Sequence, residues 1–187
     1  MPASDEALMC QIQKGDMKSF DLLVKRWEKP LLNHCYRLVD NIELSEDLRQ
    51  EVFLRVYRSA KTYKPIAKFS TWIYRIATNL CLDTLAKRRR RKVTSIDSES
   101  QDFGEGFIDP ARNPDEMVVN TEIESQVRLA LSRLPEDQRI IVVMRHYDGL
   151  KFREIAEILR CPVSTVKSRM VSGMQRLSQM LSKQEWI

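Results

Sequence analysis

The stretch that decides the fold is LKFREIAEILRCPVSTVKSRMVSGMQRLSQML, residues 150–181. Phe152, Ile155, Ala156 and Leu159 recur at helical spacing and define a short amphipathic helix. Arg160-Cys161-Pro162 reads as a turn, with Pro162 at or beside the first position of the next helix, where its missing N–H costs nothing. Val163, Val166, Met170, Met174, Leu177 and Leu181 then form the apolar stripe of a longer helix. A short helix, a tight turn and a longer helix make a helix-turn-helix, whose second helix enters the major groove of DNA. At about 100° per residue, the opposite face carries Ser164, Ser168, Ser172 and Gln175, with Lys167 on one shoulder and Thr165, Arg169 and Arg176 on the other. Small polar residues let a helix sit deep in the groove, and long cations beside them reach base edges or phosphates. Such a hairpin also serves as a plain packing unit, but the basic shoulders favour DNA. The predicted duplex-binding set is Ser164, Thr165, Lys167, Ser168, Arg169, Ser172 and Arg176.

Working outward, Val127, Leu131 and Leu134 share a helical face that Pro135 stops, and a further helix begins near Glu136 with Ile140, Ile141, Val143 and Met144 inward. Before these lies TSIDSESQDFGEGFIDPARNPDE, residues 94–116, which has two glycines, two prolines and no helical period, and so reads as a linker. The charge follows the same division. Residues 1–92 hold 19 Lys/Arg and 11 Asp/Glu, residues 93–125 hold one and nine, and residues 126–187 hold 11 and six. Two basic blocks flank an acidic segment. Each cation set against a phosphate releases condensed counterions, so the basic blocks point to a polyanion. The expected organisation is a helical domain over 1–92, an acidic linker over 93–123 and a helix-turn-helix domain over 124–187.

The N-terminal block is helical in pattern throughout. Phe20, Leu23, Val24 and Trp27 make one stripe, continued by Leu31, Leu32, Cys35, Leu38 and Val39 beyond Pro30, where the spacing predicts a kink or break. A helix is expected to start at Ser45-Glu46-Asp47 and to turn Leu48, Val52, Phe53, Val56 and Tyr57 inward. Its other faces carry Glu46, Asp47, Gln50 and Glu51, a polar patch fit for a basic protein partner or for solvent. In KTYKPIAKFSTWIYRIATNLCLDTLAKRRRRK, residues 61–92, Ser70 or Thr71 can cap a helix that ends in six consecutive basic residues. Tyr63, Phe69, Trp72 and Tyr74 alternate with Lys61, Lys64, Lys68 and Arg75. Aromatic faces accept unstacked bases while neighbouring cations follow the backbone, a pairing suited to opened or single-stranded nucleic acid. Phe69 and Trp72 serve equally well as core residues at this stage.

Other classes recede. No apolar run nears the roughly 20 residues of a membrane span, and MPASDEALMC has no signal-peptide pattern, so a cytoplasmic protein without membrane insertion is expected. Cys10, Cys35, Cys81 and Cys161 are widely spaced, and neither they nor His34 and His146 suggest a metal or disulfide framework. No phosphate loop, HExxH or nucleophile motif is present, so no cofactor and no catalysis are expected. The rival readings are a duplex-binding regulator with its own dimerisation domain, or a nuclease using Glu46, Asp47 and Glu51 as metal ligands.

Two of these blocks carry a resemblance. DLRQEVFLRVYRS and KFSTWIYRIATNLCLDTL, and LSRLPEDQRIIVVMRHYDGLKFREIAEILRCPVSTVKSRM, resemble regions 2 and 4 of bacterial RNA polymerase sigma factors of the extracytoplasmic-function class (group IV of the sigma-70 superfamily). The resemblance implies two all-α domains joined by a flexible acidic linker, and a non-catalytic subunit that binds core RNA polymerase. Region 2 would dock on the β′ coiled coil through Asp47, Gln50, Glu51 and Arg55. It would also open the −10 promoter element and hold a non-template base with Lys61, Tyr63, Lys68, Phe69, Trp72, Arg75 and Asn79. Region 4 would read the −35 element and grip the β flap, and the linker would thread the RNA-exit path. The resemblance also implies a separate anti-sigma factor. Val171 and Ser172 stand where the family often carries a bulky or basic residue.

Overall fold

The computed structural model describes residues 3–94 and 117–182, with side chains over 3–91 and 123–182. All regular structure among the described residues is helical. In the first group, α1 (Asp5–Gln13), α2 (Met17–Val39), α3 (Ile42–Ser59), a 3₁₀ turn (Ala60–Thr62) and α4 (Phe69–Thr94) pack around Leu23, Leu31, Leu38, Val52, Val56, Phe69 and Ile73. In the second, α5 (Met117–Ser132), α6 (Glu136–Val142), a π-helical turn (Val143–Tyr147), α7 (Phe152–Leu159) and α8 (Val163–Ser182) enclose Ile141, Met144, Ile155, Ile158 and Val166. The fold class is as expected: two helical domains, the second with a helix-turn-helix. Most of the expected linker lies outside the described residues, and α5 begins at Met117, inside that segment.

Local chemistry moves several boundaries from their expected places. Helix α2 runs unbroken through Pro30, because packing along its whole length outweighs the one backbone hydrogen bond that a proline removes. It ends at Asp40 in the left-handed region (φ 49°), and Asn41 caps α3 by accepting the Leu44 amide at 2.8 Å. Helix α3 therefore starts three residues before the acidic Ser45 turn. The cap of α4 is neither Ser70 nor Thr71. The Phe69 amide donates to the carboxylate of Glu6, on α1, at 2.9 Å, and this bond holds the Glu6 pKa below the usual range.

The buried face of α8 also differs from the expected stripe. Met174 is 40% exposed, and Gly173 takes its place against α6, where an added Cβ would meet a Val142 methyl at 3.1 Å. A glycine lets the two helix backbones approach closely there. Likewise Tyr57 is 49% exposed and lies edge-on against Phe20 rather than in the core.

The two groups are packed against each other. Helix α7 lies on α4, and the π-helical turn lies on α2. Their buried apolar residues form one continuous cluster.

Candidate nucleic-acid interface

A pocket of about 600 Å³ opens between the end of α3, the 60–68 connection and the first half of α4. Arg55 and Arg58 enter from α3, Lys64 and Ile66 from the connection, and Trp72, Arg75 and Asn79 from successive turns of α4. The helical spacing of 72, 75, 76 and 79 puts those α4 side chains on one face. The connection is pinned from behind, where the Gln13 amide donates to the carbonyls of Ala60 and Tyr63 at 2.9 and 2.7 Å. Four cations around a half-buried indole can follow a phosphate backbone while the ring receives a base.

Of the predicted single-strand residues, Trp72, Arg75, Asn79 and Tyr63 line this pocket. Phe69 does not: it is fully buried, and its ring meets Trp27, Tyr63 and Trp72 at 5.6, 6.2 and 5.6 Å. A ring with no exposed face cannot stack on a base, so Phe69 is a core residue and leaves the site. Tyr63 is also buried, and its ring backs Trp72 at 4.9 Å. Burial and the nearby carboxylates of Glu6 and Asp5 push its pKa up, so it stays a neutral phenol. Lys61 is exposed outside the pocket wall, and Lys68 pairs with Glu154 of α7 at 2.9 Å. Lys64, read from sequence among the cations that alternate with the aromatics, lines the pocket too, whereas Arg58 and Ile66 were missed by sequence reading. Arg58 lies one turn beyond Arg55, and that spacing was the available signal.

Arg55, expected in the polymerase-facing patch, ion-pairs with Glu51 at 2.9 Å and reaches the pocket. Asp47 and Gln50 are exposed on α3 and Glu51 is half-buried. Leu54, one turn further along and 48% exposed, adds an apolar centre to that patch which the sequence reading did not single out.

On α8, Ser164, Lys167, Ser168 and Arg176 are exposed, and Thr165, Arg169 and Ser172 are half-buried. The helix core of Val166, Met170, Gly173 and Leu177 faces inward. Arg169 is turned toward α6, where Asp137 takes its Nε at 3.1 Å. Val171 is 56% exposed, an apolar group on the outside of the helix. Among the described residues, Glu46, Asp47 and Glu51 included, no three His, Cys, Asp or Glu side chains converge as metal ligands. Nor is any helix there long and apolar enough to cross a membrane.

His34, read from sequence as incidental, is fully buried. Its Nδ1 is 2.6 Å from Asp148 at the end of the π-helical turn, and its Nε2 is 3.1 Å from the hydroxyl of Thr78 on α4. Burial alone would remove its proton, but the Asp148 carboxylate outweighs burial and raises the pKa above 6.5.

The sequence is similar to known proteins along nearly its whole length. The family model described as Sigma-70 region 2 matches residues 23–91, and that described as Sigma-70, region 4 matches residues 124–177. The RNA polymerase sigma-H factor of Pseudomonas aeruginosa is 33% identical over 180 residues, covering 95% of this chain and 93% of the relative. The ECF RNA polymerase sigma-E factor of Escherichia coli K12 is 35% identical over 170 residues, covering 89% and 88%. The sigma factor RpoE of Bartonella quintana, solved with the anti-sigma factor NepR, shares the fold with a TM-score of 0.73 at 21% identity, over 90% of this chain and 99% of that one. The chain belongs to the extracytoplasmic-function class of RNA polymerase sigma factors.

Proposed function

We propose that residues 1–92 act as a region 2 domain that grips core polymerase and the opened −10 strand. Residues 124–187 then act as a region 4 domain that reads the −35 duplex, and the protein is a cytoplasmic, non-catalytic specificity subunit. The observation that carries this reading is the basic pocket around Trp72. Single-strand binding without catalysis needs stacking surface and cations but no nucleophile, and Arg55, Arg58, Lys64, Arg75 and Trp72 supply that combination. Exposed Asn79 adds an amide whose hydrogen bonds can distinguish one base edge from another. Melting is driven by exchanging base stacking, a few kcal/mol per flipped base, for these contacts, with polymerase binding supplying the remainder.

The exposed patch of Asp47, Gln50 and Leu54 on α3 suits the β′ coiled coil, since an apolar centre inside a polar rim is how stable interfaces are built. The β flap falls to the region 4 helices that precede α8. On α8, Ser164, Thr165, Lys167, Ser168, Ser172 and Arg176 face the −35 element, with Arg169 held by Asp137. A separate anti-sigma factor, as in the Bartonella complex, is the expected inhibitor. Run-off transcription with purified core polymerase tests the reading: specific transcripts require this chain. Trp72→Ala is expected to reduce permanganate reactivity of −10 thymines by about tenfold, corresponding to about 1.4 kcal/mol. Core binding by that variant is expected to be unchanged. Transcription that does not depend on the chain would overturn the proposal.

A further inference from the structure

We infer that α1 sets the base selectivity of the single-strand pocket: Gln13 and Glu6 hold the two ends of the 60–68 connection, although neither side chain lines the pocket. This rests on reading the pocket as a single-strand site. It adds two positioning residues that act on the strand only through the connection they hold.

Tyr63, Lys64, Ile66 and Ala67 of the connection line the pocket, and Ile66 is 89% exposed. Past the 3₁₀ turn, the Ile66 amide donates to the Lys64 carbonyl at 2.8 Å, and Pro65 fixes one dihedral inside that bend. A three-residue bend sets local shape but not its own place against α3 and α4.

That place is set from α1. Glu6 and Gln13 are seven residues apart, so they share a face two turns and about 10 Å apart along the helix. At the start of the connection, the Gln13 amide uses both of its N–H groups, on the carbonyls of Ala60 at 2.9 Å and Tyr63 at 2.7 Å. At the far end, where the chain enters α4, the Phe69 amide donates to Glu6 at 2.9 Å. This bond holds the Glu6 carboxyl below its usual range, so it remains an accepting carboxylate at neutral pH. Helix α1 is itself fixed by its buried Leu8, Met9 and Ile12 and capped by Ser4. The Tyr63 hydroxyl has no hydrogen-bond partner among the described residues, so packing and the grip of Gln13 on its carbonyl place the ring. Because that ring backs the Trp72 indole at 4.9 Å, a shift of Tyr63 is passed to the stacking surface.

Affinity and selectivity separate in this arrangement. Arg55 and Arg58 stand on α3 and Arg75 on α4, so the cations that follow a phosphate backbone keep their places without α1. Stacking on an indole tolerates every base. Choosing among bases needs groups held to within a fraction of an ångström, and the connection meets that need only while both of its ends are fixed.

The test uses the full chain bound to core polymerase and a pool of single strands with six randomised positions. Sequencing the bound fraction gives base enrichment, and anisotropy of the fluorescein-labelled, unselected pool gives affinity averaged over sequence. The wild type is expected to enrich one base at one position or more. Q13A is expected to lower that enrichment about fivefold, the effect of losing about 1 kcal/mol of hydrogen bonding. Its affinity for the unselected pool should stay within about twofold of wild type, since stacking and cations are retained. Q13E, of the same size but without an N–H to donate, should lose the enrichment too, whereas Q13K returns donors at that point and should keep it. At the other end E6A should act as Q13A does, and E6Q, whose amide oxygen still accepts from Phe69, should act as wild type. Wild-type enrichment in Q13A and Q13E overturns the proposal. So does loss of pool affinity together with enrichment, which marks a damaged pocket rather than a misplaced connection. A wild-type complex that enriches no base removes the single-strand reading itself, whereas unaltered variants beside a selective wild type remove only the role of α1.

Discussion

At His34 two opposing effects decide the chemistry of a single side chain. Burial between α2 and α4 favours the neutral ring, while Asp148 at 2.6 Å favours the imidazolium, and the carboxylate wins. Thr78 and Tyr74 face the ring from α4, and Arg37 and Cys35 act on it from α2. Because the pKa in the packed chain is raised, the pair's contribution is complete below about pH 6.5 and is lost as pH rises through the raised value. Interdomain packing should therefore loosen between neutral and alkaline pH. Radius of gyration measured against pH checks this, and Asp148→Asn should flatten the profile. Phe69 gives a second contrast. Sequence placed it among cations and aromatics, where either a base-stacking or a core role was open, and full burial decides for the core. Phe69→Ala should cost about 3–5 kcal/mol in thermal or denaturant unfolding, a loss of fold rather than of base selectivity.

At the level of elements, helix faces were legible, as were the helix ends beside Pro135 and Pro162, whereas the caps of α3 and α4 were not. The stripes of α2, α7 and α8 follow from periodicity, because burying an apolar face is the main stabilising term. Caps depend on which residue arrives from elsewhere. Helix α4 is capped by Glu6 across a separation of 63 residues, a pairing that no local pattern announces. Glu6→Ala should cost about 1 kcal/mol, the usual worth of a cap. Because the Glu6 pKa is lowered in the fold, that stability is present above about pH 4.3 and lost as pH falls through the lower folded value. Differential unfolding of wild type and variant at pH 7 and pH 3.5 checks both the size and the sign. Gly173 was also illegible, since its role follows from the approach of Val142 on α6. Gly173→Val should destabilise the helix-turn-helix by about 1–3 kcal/mol through overpacking, read as a lower Tm with Lys167 and Ser168 untouched.

For the whole molecule, sequence order separates two DNA-facing modules and the tertiary structure brings them together. The patch of Asp47, Gln50 and Leu54 stays exposed in that arrangement, where the proposed polymerase contact can reach it. Leu54→Glu should weaken core binding at least about tenfold, as loss of an apolar anchor at an interface centre does. Affinity chromatography on immobilised core polymerase, with circular dichroism to confirm the fold, measures it. The Arg55–Glu51 pair keeps more than a third of each side chain in solvent and should contribute little to stability, about 0.3–0.5 kcal/mol for an i,i+4 pair.

The amino-acid sequence by itself determined the helical class, the two basic modules with an acidic stretch between them, and the serine-and-cation face of α8. Those properties depend on periodicity and local charge, which are read along the chain. Only the tertiary structure decided that Phe69 fills the core, that Arg55 and Arg58 join Trp72 around one pocket, and that His34 and Asp148, 114 residues apart, meet. Burial and through-space Coulomb interactions depend on distance in space, and linear spacing does not contain it.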